Sequence, residues 1–251
     1  WVFIGASIFF FYISGSSGMR LWDSWLQFKN STPFGTTDPQ FHKDVAFFAF
    51  KLPFYQSLIA WGFSTLFIAI LTSAIVHYIY GGIRLQPGAD RTTVSARVQL
   101  SVLLGLIVLF KAIAYWFDRY ALAIKDSRLI TGLTYTDVNA VLPAKSILAA
   151  IALICAALFF ANIVRRSWLL PTAGVALMAL SSVLIAGIYP SLIQQFTVKP
   201  SESSKEAPFI QKNIDATRSA YGLSGVKVVD YQANTAADTK QLAKDVGTIS
   251  N

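Results

Sequence analysis

Long apolar runs set the terms for this chain. They are Trp1 to Met19, Phe54 to Tyr80, Val98 to Phe117, Ser146 to Val164 and Trp168 to Phe196. Crossing the hydrocarbon core of a bilayer takes about 20 helical residues, and each run meets that. An unpaired backbone in lipid is too costly for anything but helices or closed barrels, and runs this long and continuous exclude barrel strands. The charges sit between the runs and make up only 14% of the 251 residues, against roughly 25% in a soluble domain. A soluble fold of this size would lack a charged surface. The sequence therefore predicts an all-α, polytopic transmembrane helix bundle with five spans.

Tyr78, Tyr80, Tyr115, Trp116, Trp168 and Tyr189 stand at the ends of the runs, as expected of interfacial belts. The net charge of +8 reads as membrane topology. No basic stripe interleaved with exposed aromatics supports nucleic-acid binding. The short connections at 81–97 and 165–167 are densely basic, with Arg84, Arg91, Arg97, Arg165 and Arg166 against Asp90. The connections at 20–53 and 118–145 are longer and mixed in sign. By the positive-inside rule the short ones are cytoplasmic. This predicts a plasma-membrane protein with Trp1 inside, and with 20–53, 118–145 and the tail outside.

The domain reading puts a transmembrane domain at 1–197 and the start of an extracytoplasmic domain, or a partner-bound extension, at 198–251. The spans are about 1–19, 54–80, 98–117, 146–164 and 168–196. Residues 21–53 form an interfacial segment. Within it Leu21, Trp22, Trp25, Leu26 and Phe28 share one helical face, which predicts a short helix lying in the interface. Val45 to Phe54 is apolar up to Pro53 and is expected to re-enter the membrane or lie on it. From Val198 the chain turns polar, with too few large apolar groups to bury a core alone. It starts in mid-run at Trp1 and reads as part of something longer. No internal repeat is evident between the spans.

Several stretches resemble a known family. They are Phe34-Gly35-Thr36-Thr37-Asp38-Pro39-Gln40-Phe41 with Asp44; Gly81-Gly82-Ile83-Arg84; Tyr115-Trp116-Phe117-Asp118-Arg119-Tyr120; Tyr135-Thr136-Asp137-Val138 with Leu142-Pro143-Ala144; Tyr189-Pro190 with Gln194; and Glu206-Ala207-Pro208-Phe209-Ile210. In this order they resemble an uncharacterised (UPF-class) family of large membrane proteins of actinobacteria and cyanobacteria. The resemblance implies a seven-helix membrane domain followed by a large extracytoplasmic domain. This chain would hold the last five spans and the beginning of that domain. Lys199-Pro200-Ser201-Glu202 departs from the family's Pro-Asn-Glu. The family lends no catalytic residues.

Six residues are candidates for function. Lys111 is the one full charge well inside a span, where a charge costs roughly 2.5–3.5 kcal/mol on insertion scales. Asp118 lies two turns on, so the two could pair. Snorkelling or such a pair stands against a transport or relay role. Asp118 and Arg119 read as an interfacial anchor with a local ion pair. Asp38, Asp44 and Asp137 fall in the two long connections. They could line a common surface or a cation site, which needs converging oxygens; the alternative is solvated loops.

Other features are weaker. Cys155 is the single cysteine, so neither an intrachain disulfide nor a cysteine metal cluster is possible. His77 reads as an interface histidine. Gly15-Ser16-Ser17-Gly18 is no nucleophile elbow, since Met19 follows, and the zinc-protease and phosphate-loop motifs are missing. The sequence thus predicts no enzyme, no catalytic residue, no cofactor and no metal. Its expected partners are the lipid bilayer and other membrane or envelope proteins, with a lipid ligand possible and no nucleic acid. Two roles compete: anchoring or scaffolding an extracytoplasmic domain in an envelope complex, and transporting or handling a hydrophobic envelope molecule. An intramembrane enzyme is the third and least supported.

Overall fold

A computed structural model describes residues 2–84, 92–127, 130–165 and 169–227. The chain is an all-α helical bundle. Its helices are α1 (Val2–Lys29), α2 (Leu52–Ile79), α3 (Val94–Ala121), α4 (Leu142–Arg165), α5 (Leu169–Ser181), α6 (Tyr189–Ile193) and α7 (Glu202–Ala220). Among the described residues β structure is limited to isolated antiparallel bridges, Thr37–Asp44, Ile83–Thr92 and Asp126–Thr131, each closing a connection.

Among the described residues, four helical runs are long and apolar enough to cross a membrane: Phe47–Ile79, Val94–Ile124, Asp137–Val164 and Leu169–Ala220. That is the pattern of a membrane protein. The fifth expected span, about 1–19, falls on α1. Most side chains of that stretch lie outside the described residues, as do Arg91, Arg166 and residues 228–251.

One expectation about the connection at 20–53 is corrected. No separate interfacial helix covers 21–28: these residues are the last turns of α1, because nothing before Asn30 breaks the helix. Residues 47–53 are helical, and Phe47–Lys51 form a π turn that runs directly into α2. The change of composition at Val198 is likewise no break, since the helical run that begins at Leu169 passes through it to Ala220.

Proline explains the irregular turns. π segments cover Phe47–Lys51, Asp137–Val141, Ser182–Ile188 and Gln194–Val198. Each is followed, two residues on, by a proline: Pro53, Pro143, Pro190 and Pro200. Proline has no N–H to donate, and its ring collides with the carbonyl four residues back. In all four places the residue before proline donates five residues back instead of four: Leu52 to Phe47, Leu142 to Asp137, Tyr189 to Leu184 and Lys199 to Gln194. The wider π turn gives the ring room without ending the helix.

The same punctuation reveals a repeat. Helix starts at Asp44 and Thr134, π turns from Phe47 and Asp137, and Leu-Pro pairs at 52–53 and 142–143 all recur at one spacing, each preceded by a 28-residue helix, α1 or α3. The side chains between these marks differ, which hid the repeat in the sequence.

Helix α3 packs along α2 and α4, and α4 along α5. The core is Ala112, Tyr115, Leu148, Ala149 and Ala152, with Met178 and Ile185 against it. Small residues permit this approach, as usual for helices in lipid. Gly105 is one such point: a Cβ there would lie 2.9 Å from the Phe160 ring. Within the core, Asn162 Nδ2 donates to Ser101 Oγ at 2.8 Å, tying α4 to α3.

The contacts divide the chain into two units, 1–213 and 214–251. Within the second, the helix end is closed by Gly222, whose φ of +70° suits a residue without Cβ. Leu223 N–H donates to Arg218 O at 2.7 Å there.

Candidate functional site

The helix start at Thr134, which runs through the π turn Asp137–Val141 into α4, brings together the buried carboxylates Asp137 and Glu206. A helix begins with N–H groups that lack intrahelical partners. Here Thr134 is the N-cap: its Oγ1 accepts from Asp137 N–H at 3.3 Å, and Asp137 Oδ2 accepts from Thr134 N–H at 3.2 Å. This is a reciprocal capping box with Asp in the third position. The Asp137 carboxylate also accepts from Thr134 Oγ1 at 2.8 Å and pairs with Lys125 Nζ at 2.9 Å. Asp137 is 1% exposed, and these partners satisfy it.

One N–H of this helix start, that of Tyr135, is capped from far along the chain. Both carboxylate oxygens of Glu206 accept from it, at 3.2 and 3.1 Å. Glu206 is 4% exposed. A carboxylate at a helix N-terminus also meets the positive end of the helix dipole. Three further contacts surround this one. Thr136 Oγ1 donates to Gln194 Oε1, Asn213 Nδ2 donates to Thr131 O at 2.8 Å, and Lys205 Nζ sits 5.1 Å from the centre of the Tyr135 ring. The segment 194–213 is thereby docked on the connection between α3 and α4. A cavity of about 270 Å³ with polar side chains around it remains at the junction, walled by Lys125, Ser127, Thr134, Gln194, Lys199, Glu202 and Glu206.

The other two aspartates serve their own loop. Asp44 caps the start of the second span: Oδ1 accepts from Ala46 N–H at 2.8 Å and Phe34 N–H at 3.0 Å, and Oδ2 from Gly35 N–H at 3.0 Å. The N–H groups of Ala46 and Phe34 hold the Asp44 carboxyl below its ordinary range, with some opposition from burial. Asp38 Oδ2 accepts from Gln40 and Phe41 N–H at 2.9 and 2.6 Å. Both carboxylates are spent on backbone donors. Asp38, Asp44 and Asp137 do not converge on one site, and Asp137 is buried, not solvated. Among the described residues no group of three or more His, Cys, Asp or Glu side chains could hold a metal ion.

The membrane-end candidates also separate. Lys111 does not pair with Asp118. Its Nζ lies 4.6 Å from the centre of the Tyr115 ring, where the ring face offers the ammonium a partner without a second charge to desolvate. Asp118 pairs instead with Lys145 Nζ at 3.0 Å, across α3 and α4. Arg119 makes no local ion pair with Asp118. Its guanidinium stacks 4.4 Å from the Trp116 ring centre. His77 Nε2 meets Gln99 Oε1 at 3.0 Å, linking α2 to α3.

Aromatic rings hold the first long connection in place. Phe41 and Phe47 pack on Tyr120 at 5.1 and 5.2 Å, Tyr55 on Phe117 at 4.9 Å, and Phe28 on Phe54 at 4.7 Å. Sequence reasoning missed the docking residues Glu206, Gln194, Lys125 and Thr134. Glu206 and Gln194 stood among the family-like stretches, but nothing local gave them a role. Thr134-Tyr135-Thr136-Asp137 did carry the capping-box pattern.

The Uncharacterised protein family (UPF0182) matches residues 1–251. A UPF0182 protein of Streptomyces coelicolor is 47% identical over 250 residues, covering 98% of this chain and 25% of the relative. A UPF0182 protein of Nocardioides sp. is 48% identical over 236 residues, covering 94% and 24%. One of Thermobifida fusca is 47% identical over 237 residues, covering 94% and 23%. The chain thus spans about a quarter of the length of these relatives. No solved structure matches it.

Proposed function

The chain belongs to the UPF0182 family, and from that premise we propose that this stretch anchors and orients an extracytoplasmic part of the protein within a cell-envelope complex of the plasma membrane. The observation that carries the reading is the Glu206 carboxylate on the Tyr135 N–H. It joins the polar segment after the last span to the start of an earlier span, so that the segment leaves the bilayer in a fixed direction. A flexible linker would need no such contact. Trp1 then lies on the cytoplasmic side, and residues 30–46, 122–137 and 199–213 lie outside.

The role is not enzymatic on this reading. Asp38, Asp44, Asp137 and Glu206 are engaged in capping helix starts and closing loops, and Asp118 pairs with Lys145. The partners are the bilayer and other membrane or envelope proteins. The test is a pull-down of the full-length protein from native membranes, as wild type and as Glu206→Ala. The reading expects co-purifying envelope proteins in the first and their reduction in the second. Recovery of the protein alone, without any partner, overturns it.

A further inference from the structure

The two buried carboxylates at the helix start differ in how they are compensated. Asp137 has Lys125 Nζ at 2.9 Å and accepts from both Thr134 Oγ1 and Thr134 N–H. Glu206, 4% exposed, accepts from a single N–H, that of Tyr135, shared between its two oxygens. An ionised carboxylate has about four lone-pair sites, and a helix N-terminus supplies only about half a charge. Buried charges are otherwise paired or coordinate metals. Among the described residues the ion pairs are Lys125–Asp137 and Lys145–Asp118, so Glu206 has no cation. Lys205, its chain neighbour, places its Nζ over the Tyr135 ring instead.

Glu206 lines the cavity at this junction, and two more unpaired charges line it too. Glu202 has no ion pair among the described residues. Lys199 Nζ meets only a neutral partner, Gln195 Oε1, at 3.0 Å. Lys199, Glu202 and Glu206 stand three and four residues apart in one helical run. Such neighbours share a face, with Cβ atoms about 5–6 Å apart. The cavity thus presents one ammonium group followed by two carboxylates. Lys125 is already matched by Asp137, which leaves Lys199 against Glu202 and Glu206. Ser127 Oγ, which donates to Ile130 O, keeps its lone pairs and adds a hydroxyl acceptor to the wall.

This order selects a ligand with a cation and an anion a few bonds apart. A primary ammonium brings three donors, which suit Glu206, Glu202 and Ser127, while Lys199 takes the anion. A quaternary ammonium has no N–H to give and is recognised by aromatic faces. A hard divalent ion needs more converging oxygens and would meet the two lysines. The cavity lies where apolar runs end: Val94–Ile124 stops just before Lys125, and Asp137–Val164 begins just after Thr134. That is the level of lipid headgroups. We propose that this cavity binds a primary ammonium group carried next to a phosphate, as in an ethanolamine phospholipid headgroup or free phosphoethanolamine. The ammonium meets Glu206 and Glu202, and the phosphate meets Lys199. The proposal rests on the docking of residues 194–213 and not on the anchoring role.

The test presents the full-length protein, in detergent micelles, with phosphatidylethanolamine, phosphatidylcholine or phosphatidylglycerol of identical acyl chains. Native mass spectrometry counts the lipid retained. The proposal expects phosphatidylethanolamine to be held several-fold more tightly than the other two. Glu202→Gln should remove that preference and leave hydrogen-exchange protection of the Tyr135 amide unchanged, which separates this site from the docking itself. In parallel, soluble phosphoethanolamine is added to micelles without lipid, and exchange is followed over 130–137 and 199–206. Protection there without a lipid preference supports the same site with the free compound as its ligand. Equal retention of the three lipids, with no protection by the soluble compound, overturns the proposal. A preference that survives in Glu202→Gln overturns it too. Weak Tyr135 protection in the wild type would undo the docking, and the proposal with it. The lipid comparison within the wild-type protein decides the matter even if the variant fails to fold.

Discussion

Replacing Glu206 with alanine should release the start of α4 from the segment that docks on it. The carboxylate is 4% exposed and accepts the Tyr135 N–H through both oxygens, at 3.2 and 3.1 Å. A hydrogen bond to a charged group contributes about 1.5–3 kcal/mol, and a buried N–H left without a partner costs about 1–3 kcal/mol. These overlap as descriptions of one loss, so about 2–3 kcal/mol is the expected change in local opening. At 1.36 kcal/mol per tenfold, that is roughly a 30- to 150-fold drop in hydrogen-exchange protection of the Tyr135 amide. The assay is exchange mass spectrometry on the full-length protein in lipid nanodiscs, following peptides over 130–140 and 199–213. Both should loosen together, because the Glu206–Tyr135 bond has one partner in each. Glu206→Gln keeps a neutral acceptor and should lose about half as much. Ser203→Ala, on the exposed side of the same helix, should change nothing. Unchanged protection in Glu206→Ala, or loosening confined to 199–213, would refute the reasoning.

Acid should open the first long connection late. The Asp44 carboxyl is held below its ordinary range by the N–H groups of Ala46 and Phe34. For a depressed carboxyl the stabilisation is full above the unfolded-state value, about 4, and is lost as pH falls through the lower folded value. Pepsin should therefore cut around Phe34 and Phe41 in the wild type only once pH falls below about 4, and already at milder acidity in Asp44→Asn. The same onset for both would deny the carboxylate its role. Between α3 and α4, Ser101→Ala removes the partner of Asn162 Nδ2 and should cost about 0.6–1.7 kcal/mol, read by denaturant unfolding in mixed micelles. Pairing it with Asn162→Leu should recover much of that, since losing both polar partners costs less than losing one.

Four of the five expected spans were legible because hydropathy over about 20 residues reports directly on the solvent the helix must face. Their edges were harder. Pro53 looked like the end of an apolar stretch, yet a π turn carries the helix through it, and only backbone geometry shows that donation shifts from four residues back to five. The 90-residue repeat in the caps and Leu-Pro pairs escaped notice for the same reason. It resides in a few marks with unlike side chains between them. Lys111 and Asp118 share a face, and spacing allowed a pair. What decided otherwise was a ring on Lys111's own helix and a lysine on α4. The site at α4 was half visible. Thr134 to Asp137 spells a capping box, whereas Glu206 reaches Tyr135 across 71 positions, and no local pattern announces that.

Side-specific cysteine labelling tests the central claim most directly. In a background where every native cysteine of the full-length protein, Cys155 included, is replaced by serine, single cysteines are placed at Thr131, Ser203 and Arg84, and intact cells are treated with a membrane-impermeant thiol reagent. The account predicts labelling of positions 131 and 203 from outside, and of position 84 only after permeabilisation. Labelling of 131 and 203 from opposite sides would contradict the docking of 194–213 on the α3–α4 connection. Both labelled only from inside would reverse the orientation and end the anchoring role proposed for the extracytoplasmic side.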